Sequence, residues 1–298
     1  MRARLERLGA PLLRCARGEL PANVALAHLL MEARDAAEVQ LAICDVIRDF
    51  RQQRSGEGLD RLLHVQDLWN ETPGAFAAVN GAARTVEHAH DGAVQTAAHW
   101  AYAFDRAAGT SSAAGVALYS LGRNDLLQAA TDEIVGCMRS WKLLALDHVA
   151  LDLGCGNGRV TRALAGDVHR VIAIDVSPAM LSAARFRCAD LRNALFARTS
   201  GHDLAAFPDA SFDLVYAVDS FPYLVMSGLA ERHVGEAARV LRRGGHLLIL
   251  NYSYRNDPDA DRADVAEMSR EAGLTVRRNG TRDFRLWDGL SFLSQKAT

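Results

Sequence analysis

The spacing of apolar residues changes character part-way along the chain. Over residues 1–107 it is almost wholly helical. Val24, Leu26, Leu29, Leu30 and Met31 fall within Asn23–Arg34, and Val39, Leu41, Cys44, Val46, Ile47 and Phe50 within Asp35–Arg51. Each set lays an apolar stripe along one face of a helix. Pro21 and Asp35 supply helix-start chemistry. RSGEG at 54–58 reads as a loop, and Leu59–Trp69 and Gly74–His90 read as further helices. Aromatics at Trp100, Tyr102 and Phe104 precede a small-residue loop at 108–115, and a helix is predicted over Asn124–Trp141. From Val149 the pattern switches. Short apolar runs at 149–153, 171–174, 193–199, 212–218 and 246–252 alternate with helical stretches, with RRGG at 242–245 turning a helix into the last of them. Such alternation predicts parallel strands joined by crossover helices. Two closing strands are expected near 274–279 and 290–295.

The most informative stretch is VALDLGCGNGRVTRALAGDVHRVIAID, residues 149–175. It reads as strand, glycine-rich turn, helix, strand and acid: a βαβ unit with a nucleotide-type crevice at the carboxyl ends of its strands. The glycines let backbone approach a ligand closely, and Asp175, closing the second strand, is placed to take a ribose diol. A dinucleotide fingerprint needs G-x-G-x-x-G. Here Arg159 stands at the third position, and the glycines run G-x-G-x-G through Gly154, Gly156 and Gly158. Asp152 lies two residues before the first glycine, where a carboxylate would suit a cationic ligand group.

This stretch resembles motif I of the class I S-adenosylmethionine-dependent methyltransferases, and the resemblance extends over about 116–298. It implies a Rossmann-like, doubly wound α/β fold: a mostly parallel seven-stranded sheet with an antiparallel C-terminal strand. It also implies S-adenosyl-L-methionine as cofactor, with Asp152, Gly154 and Gly156 at the turn and Asp175 on the ribose. Val176 and Met180 would lie beside ribose and adenine. Asp203 would take the adenine amino group, with Leu204 beside the ring. Tyr119, on a loop before the helix that precedes motif I, would contact the methionine part. Phe212–Val218 resembles motif IV, and its tail, Asp219 and Ser220, would neighbour the sulfonium. Amino-methylating DNA enzymes carry [Asp/Asn/Ser]-Pro-Pro-[Tyr/Phe] there. This chain has Phe221 where the first proline would be, which argues against that role.

Methyl transfer from a sulfonium is an in-line displacement that asks the protein mainly for alignment and water exclusion. A base is needed only for a protonated nucleophile. Asp219, Tyr223 and Tyr252 are the candidate catalytic residues, and Tyr254 is also at the right end of its strand. His148, His169 and His246 precede or begin strands, far from the chemistry; His202 lies nearer adenine, and His233 could reach inward.

Composition sets bounds. The 298 residues carry 49% hydrophobic and 23% charged positions and a net charge of −2, which gives no electrostatic footprint for nucleic acid. No run is long and apolar enough to span a bilayer. The N-terminal apolar pieces, broken by Arg, Glu and Pro, form no signal-peptide core. Five cysteines without regular spacing give no disulfide framework. His88, His90, Asp91 and His99 lack the i, i+4 pairing of a zinc helix, so no metal is expected. The reading is a cytoplasmic enzyme, monomer or homodimer, without nucleic-acid or membrane partners. Its helical region, 1–107, would act as lid, substrate selector or oligomer surface, and its methyltransferase domain would be 108–298. It would methylate an O or N nucleophile of a small molecule. Non-methyl use of the same cofactor, a protein or RNA substrate, and a purely regulatory role stay open as alternatives.

Overall fold

A computed structural model describes residues 2–52, 56–85, 95–110 and 117–298. The chain forms two compact units. One comprises Met1–Glu87, Thr110–Ala130 and Phe284–Asp288; the other comprises His88–Gly109, Thr131–Asp283 and Gly289–Thr298. The expected cut at 107 is therefore replaced by an interleaved division. The segment carrying Trp100 and Phe104 belongs with the sheet, whereas Tyr119 and Trp287 belong with the helices.

The helical unit contains α1 (Arg2–Ala16), α2 (Ala22–Glu32), α3 (Ala36–Gln52), α4 (Gly56–Glu71) and α5 (Ala75–Thr85). Their stripes meet in a core of Leu8, Leu12, Leu26, Leu29, Leu30, Ile43 and Leu62. α1 runs through Pro11 as one helix, and α4 differs from the expectation by beginning at Gly56, inside the expected loop. Asn23 on α2 ties in the returning segments, donating from Nδ2 to the carbonyls of Tyr119 (2.9 Å) and Leu286 (2.8 Å).

The sheet unit holds α6 (Ala97–Thr110, its last residue excepted) and the second part of α7 (Asn124–Ser140). The alternating elements follow: β1 (Val149–Leu153), α8 (Arg159–Leu164), β2 (Arg170–Asp175), α9 (Pro178–Arg187), β3 (Ala194–Arg198), β4 (Phe212–Val218) and α10 (Phe221–Met226). Then come α11 (Ala230–Val240), β5 (Leu241–Leu250), α12 (Pro258–Glu271), β6 (Leu274–Thr281) and β7 (Ser291–Lys296). The seven strands lie in the order β3-β2-β1-β4-β5-β7-β6. β1 to β5 are parallel, and β7 runs antiparallel to both β5 and β6. The expected doubly wound, mostly parallel sheet is observed.

Side-chain alternation assigns the two faces. Leu151, Leu153, Ile174, Val215 and Ala217 join Val234, Ala237 and Val265 in the larger core. Ala173 packs with Leu181, Ala184 and Cys155 on the other face. One boundary departs from expectation: RRGG at 242–245 is strand, since β5 starts at Leu241 directly after α11, with a register shift opposite Phe212 and Leu214. Strand order reverses between β1 and β4, so the turns after these two strands meet at the switch point where α/β sheets open a crevice. No described helix is long and apolar enough to cross a membrane.

Candidate active site

The turn after β1 is built for close approach. Gly154, Gly156 and Gly158 adopt φ of 78°, 52° and 75°, in the left-handed region that disfavours a side chain. A Cβ on Gly154 would lie 2.4 Å from the Ser220 Cβ, so the β1 turn presses on the β4 turn. Ser220 returns the contact by donating its hydroxyl to the Leu153 carbonyl.

Across the turn stands Asp175, the last residue of β2 and buried. Its Oδ2 accepts the Gly156 N–H at 2.8 Å and its Oδ1 the Ser177 N–H at 2.9 Å. Burial raises its pKa; the N–H groups of Ser177, Gly156 and Val176 oppose the rise, and the charge of Asp105 adds to it. A carboxylate clasped by peptide N–H groups in a dry setting retains acceptor capacity on both oxygens and suits neutral hydroxyl donors. Val176 leans on the next loop, where a Cβ on Gly201 would come within 2.7 Å of its Cγ1.

At the other end, two side chains meet from strained backbone. Asp219 (φ 59°) follows β4 and Asn251 (φ 66°) follows β5. Asn251 Nδ2 donates to Asp219 Oδ1 at 2.7 Å, and the Tyr254 hydroxyl donates to the same oxygen at 2.9 Å. The Tyr223 hydroxyl lies 3.4 Å from that of Tyr254. The Tyr223 phenol has a raised pKa, through burial first and the adjacent Asp219 carboxylate second. Non-glycine residues with left-handed backbone persist where surroundings over-determine them, often at functional sites. Above this end run Trp100 and Phe104 of α6, whose rings lie edge-on to Tyr223 with centroids 4.7 and 4.9 Å away.

Comparison with known proteins follows the same outline. Residues 151–249 match the family model described as a methyltransferase domain. That span runs from within β1 through most of β5, including both turns of the switch point. Residues 151–249 are thus a methyltransferase domain, and the chain resembles the class I S-adenosylmethionine-dependent methyltransferases. A demethylmenaquinone methyltransferase of Tropheryma whipplei (strain Twist) is 40% identical over 104 residues, 35% of this chain and 41% of that protein. A 27-O-demethylrifamycin SV methyltransferase of Amycolatopsis mediterranei (strain S699) is 35% identical over 150 residues, 49% of this chain and 52% of that protein. The chain thus spans about half the length of the curated relatives it matches. A methyltransferase solved in complex with the Haloferax volcanii Trm112 methyltransferase activator shares the fold. There the TM-score is 0.51 and the identity 22%, with 65% of this chain and 98% of the other covered.

Several further residues named from the sequence have well-defined surroundings. Asp152 points to the α8 face, because Leu151 and Leu153 take the opposite one. It is fully buried there and accepts the Thr161 hydroxyl at 2.5 Å. Burial raises its pKa to about 6, against the hydrogen bonds of Thr161 and Tyr216. It braces β1 against α8. Tyr252 lies in the larger core, its ring on Phe221 and Phe292 and its hydroxyl 3.3 Å from Asp264. It is not grouped with Asp219, because alternation after β5 sends Asn251 to the site and Tyr252 behind it. Met180 is likewise buried, and its N–H caps onto Ser177 Oγ at 3.1 Å. Leu204 is a core residue whose N–H reaches Glu236 at 3.3 Å. Asp203 pairs with Arg232 at 3.5 Å. Tyr119 sits in the helical unit, its ring 5.9 Å from Trp287. Of the histidines, His233 is buried with Nδ1 donating to the Leu229 carbonyl at 3.0 Å, so it does not reach the site.

Asp105 and Asn251 went unassigned in the sequence. Asp105 sits one residue past Phe104 in a run of aromatics, and only the fold shows that it reaches α9. Among the described residues no group of three or more His, Cys, Asp or Glu is gathered as for a metal ion; His88, His90 and Asp91 lie outside the described residues.

Proposed function

We propose that this chain transfers a methyl group from S-adenosylmethionine to a small-molecule acceptor. The observation that carries the reading is the pairing, at one switch point, of the Gly156–Asp175 clasp with the Asp219–Asn251–Tyr254 cluster. The clasp suits a ribose diol, Val176 a neighbouring apolar ring face, and Asp203 a polar group at the adenine end. When bound, the cofactor supplies an electrophilic methyl on a sulfonium. The chain's own residues hold the acceptor in line and exclude water. Asp219 accepts the Tyr254 hydroxyl, so an acceptor O–H or N–H meeting the Tyr254 oxygen would have a carboxylate behind it to hold the displaced proton. Tyr223 extends that polar line by one hydroxyl. The relative named as a demethylmenaquinone methyltransferase supports a small aromatic acceptor, with oxygen, nitrogen and ring carbon all to be scored.

Titration calorimetry with S-adenosylhomocysteine tests the cofactor half. Wild type should bind in the micromolar range, and Asp175→Ala should weaken binding at least about tenfold, as expected for the loss of charge-assisted hydrogen bonds. Absence of binding would overturn the reading. Product analysis with reduced quinones and simple phenols tests the chemistry: S-adenosylhomocysteine supports methyl transfer, and methylthioadenosine overturns it.

A further inference from the structure

Helix α6 lies along the carboxyl edge of the sheet and is fastened at three places. Ala97, Trp100 and Phe104 share one face by their spacing. Ala97 meets the loop after β3, where a Cβ on Gly201 would stand 3.0 Å from its Cβ. Trp100, only 2% exposed, and Phe104 rest on Tyr223 of α10. Asp105 reaches the start of α9, where its Oδ1 accepts the Ser177 hydroxyl at 2.5 Å and the Ala179 N–H at 3.0 Å. The first two fastenings are apolar contacts. The third is a charge-assisted pair of hydrogen bonds at the positive end of a ten-residue helix. It also lands two residues from Asp175, whose own Oδ1 takes the Ser177 N–H.

We infer that Asp105 is a positioning residue: it latches α6 onto α9 and so sets Trp100 and Phe104 as the aromatic wall of the acceptor end. Through Ser177 the same latch supports the ribose carboxylate. The inference rests on the methyltransferase reading for what the wall recognises, a flat apolar or aromatic portion of the acceptor, but the latch itself stands on geometry alone. Asn keeps the oxygen that both donors use, whereas Ala removes it.

Hydrogen exchange on the full chain, without cofactor, separates the two parts. In Asp105→Ala, amides of residues 98–108 and 179–182 should exchange at least about tenfold faster, with α11 and α12 unchanged, in keeping with local opening. Asp105→Asn, which keeps the oxygen and loses the charge, should exchange clearly more slowly than the Ala variant. Unchanged exchange in the Ala variant, or equal loss in the Asn variant, would overturn the latch. Failure of wild type to bind S-adenosylhomocysteine would overturn the methyltransferase reading and leave the exchange result standing. With a methylated acceptor in hand, Asp105→Ala should raise the acceptor KM about tenfold with kcat within about threefold, the mark of lost binding before the chemical step. A fall in kcat at constant KM would overturn the positioning role.

Discussion

Asp152, at the carboxyl end of β1, is held by the Thr161 hydroxyl of α8. It lies two residues before the first glycine of the turn, and strand alternation buries it against Thr161. The consequence is measurable. Its folded pKa is raised from the usual carboxylate range to about 6, chiefly by burial. A carboxylate raised on folding binds more protons in the native state across that window, so stability falls as pH rises through it. The loss is absent below the unfolded pKa and complete above the folded one. At about 1.4 kcal/mol for each pH unit separating the unfolded from the folded pKa, the full effect is on the order of 3 kcal/mol. Asp152→Asn removes the titration while keeping an oxygen for Thr161. Urea unfolding at about pH 4 and pH 7 should therefore show the Asn variant gaining roughly 2–3 kcal/mol on wild type between the two. A difference that does not change with pH would refute the assignment.

Elements were legible to the extent that their periods were distinct. β1 and β4 occupy the residues read from their apolar runs, and β2, β3, β6 and β7 differ only at their edges. The misreading at RRGG came from a local habit of glycine pairs to turn. Here Gly245 instead serves a close strand approach, where a Cβ would stand 3.0 Å from the Asp213 carbonyl oxygen. Contacts between elements were less legible, because sequence spacing carries no cross-strand information. Gly154 is the clearest case. Read alone, it is a glycine kept for a ligand; in the fold its missing Cβ also makes room for Ser220. Gly154→Ala should destabilise by roughly 2–5 kcal/mol, combining overpacking with left-handed backbone strain. Adding Ser220→Gly should recover roughly 1–3 kcal/mol of it, giving a coupling energy in a double-mutant cycle. Strictly additive effects would show that the two turns do not press on each other.

The whole molecule is where sequence reading stopped short. A boundary at 107 looked natural because helical periodicity ends near there, but periodicity says nothing about which segments return to an earlier core. Residues 110–130 and 284–288 complete the helical unit. Asn23 ties the carbonyls of Tyr119 and Leu286 together, and Tyr119 faces Trp287. Leu121, within that returning segment, is 1% exposed, and a Cβ on Gly122 would stand 2.9 Å from the Ala78 Cβ. A fragment beginning at 108 would keep these residues and lose Asn23, Ala78 and the rest of α1–α5. Burying one large apolar side chain is worth about 1.5–3 kcal/mol. Stripping the cover from Tyr119, Leu121 and Trp287 would therefore leave three large apolar side chains exposed on the fragment. The same cut deletes α6 up to Ala107, and with it Trp100, Phe104 and the Asp105 latch. The 108–298 fragment should therefore elute as aggregate in size-exclusion chromatography with light scattering and bind a hydrophobic dye. It should also show no calorimetric response to S-adenosylhomocysteine. A monodisperse fragment that binds the ligand like the full chain would mean that the helical unit is an appendage whose interleaved segments contribute little to holding the sheet unit.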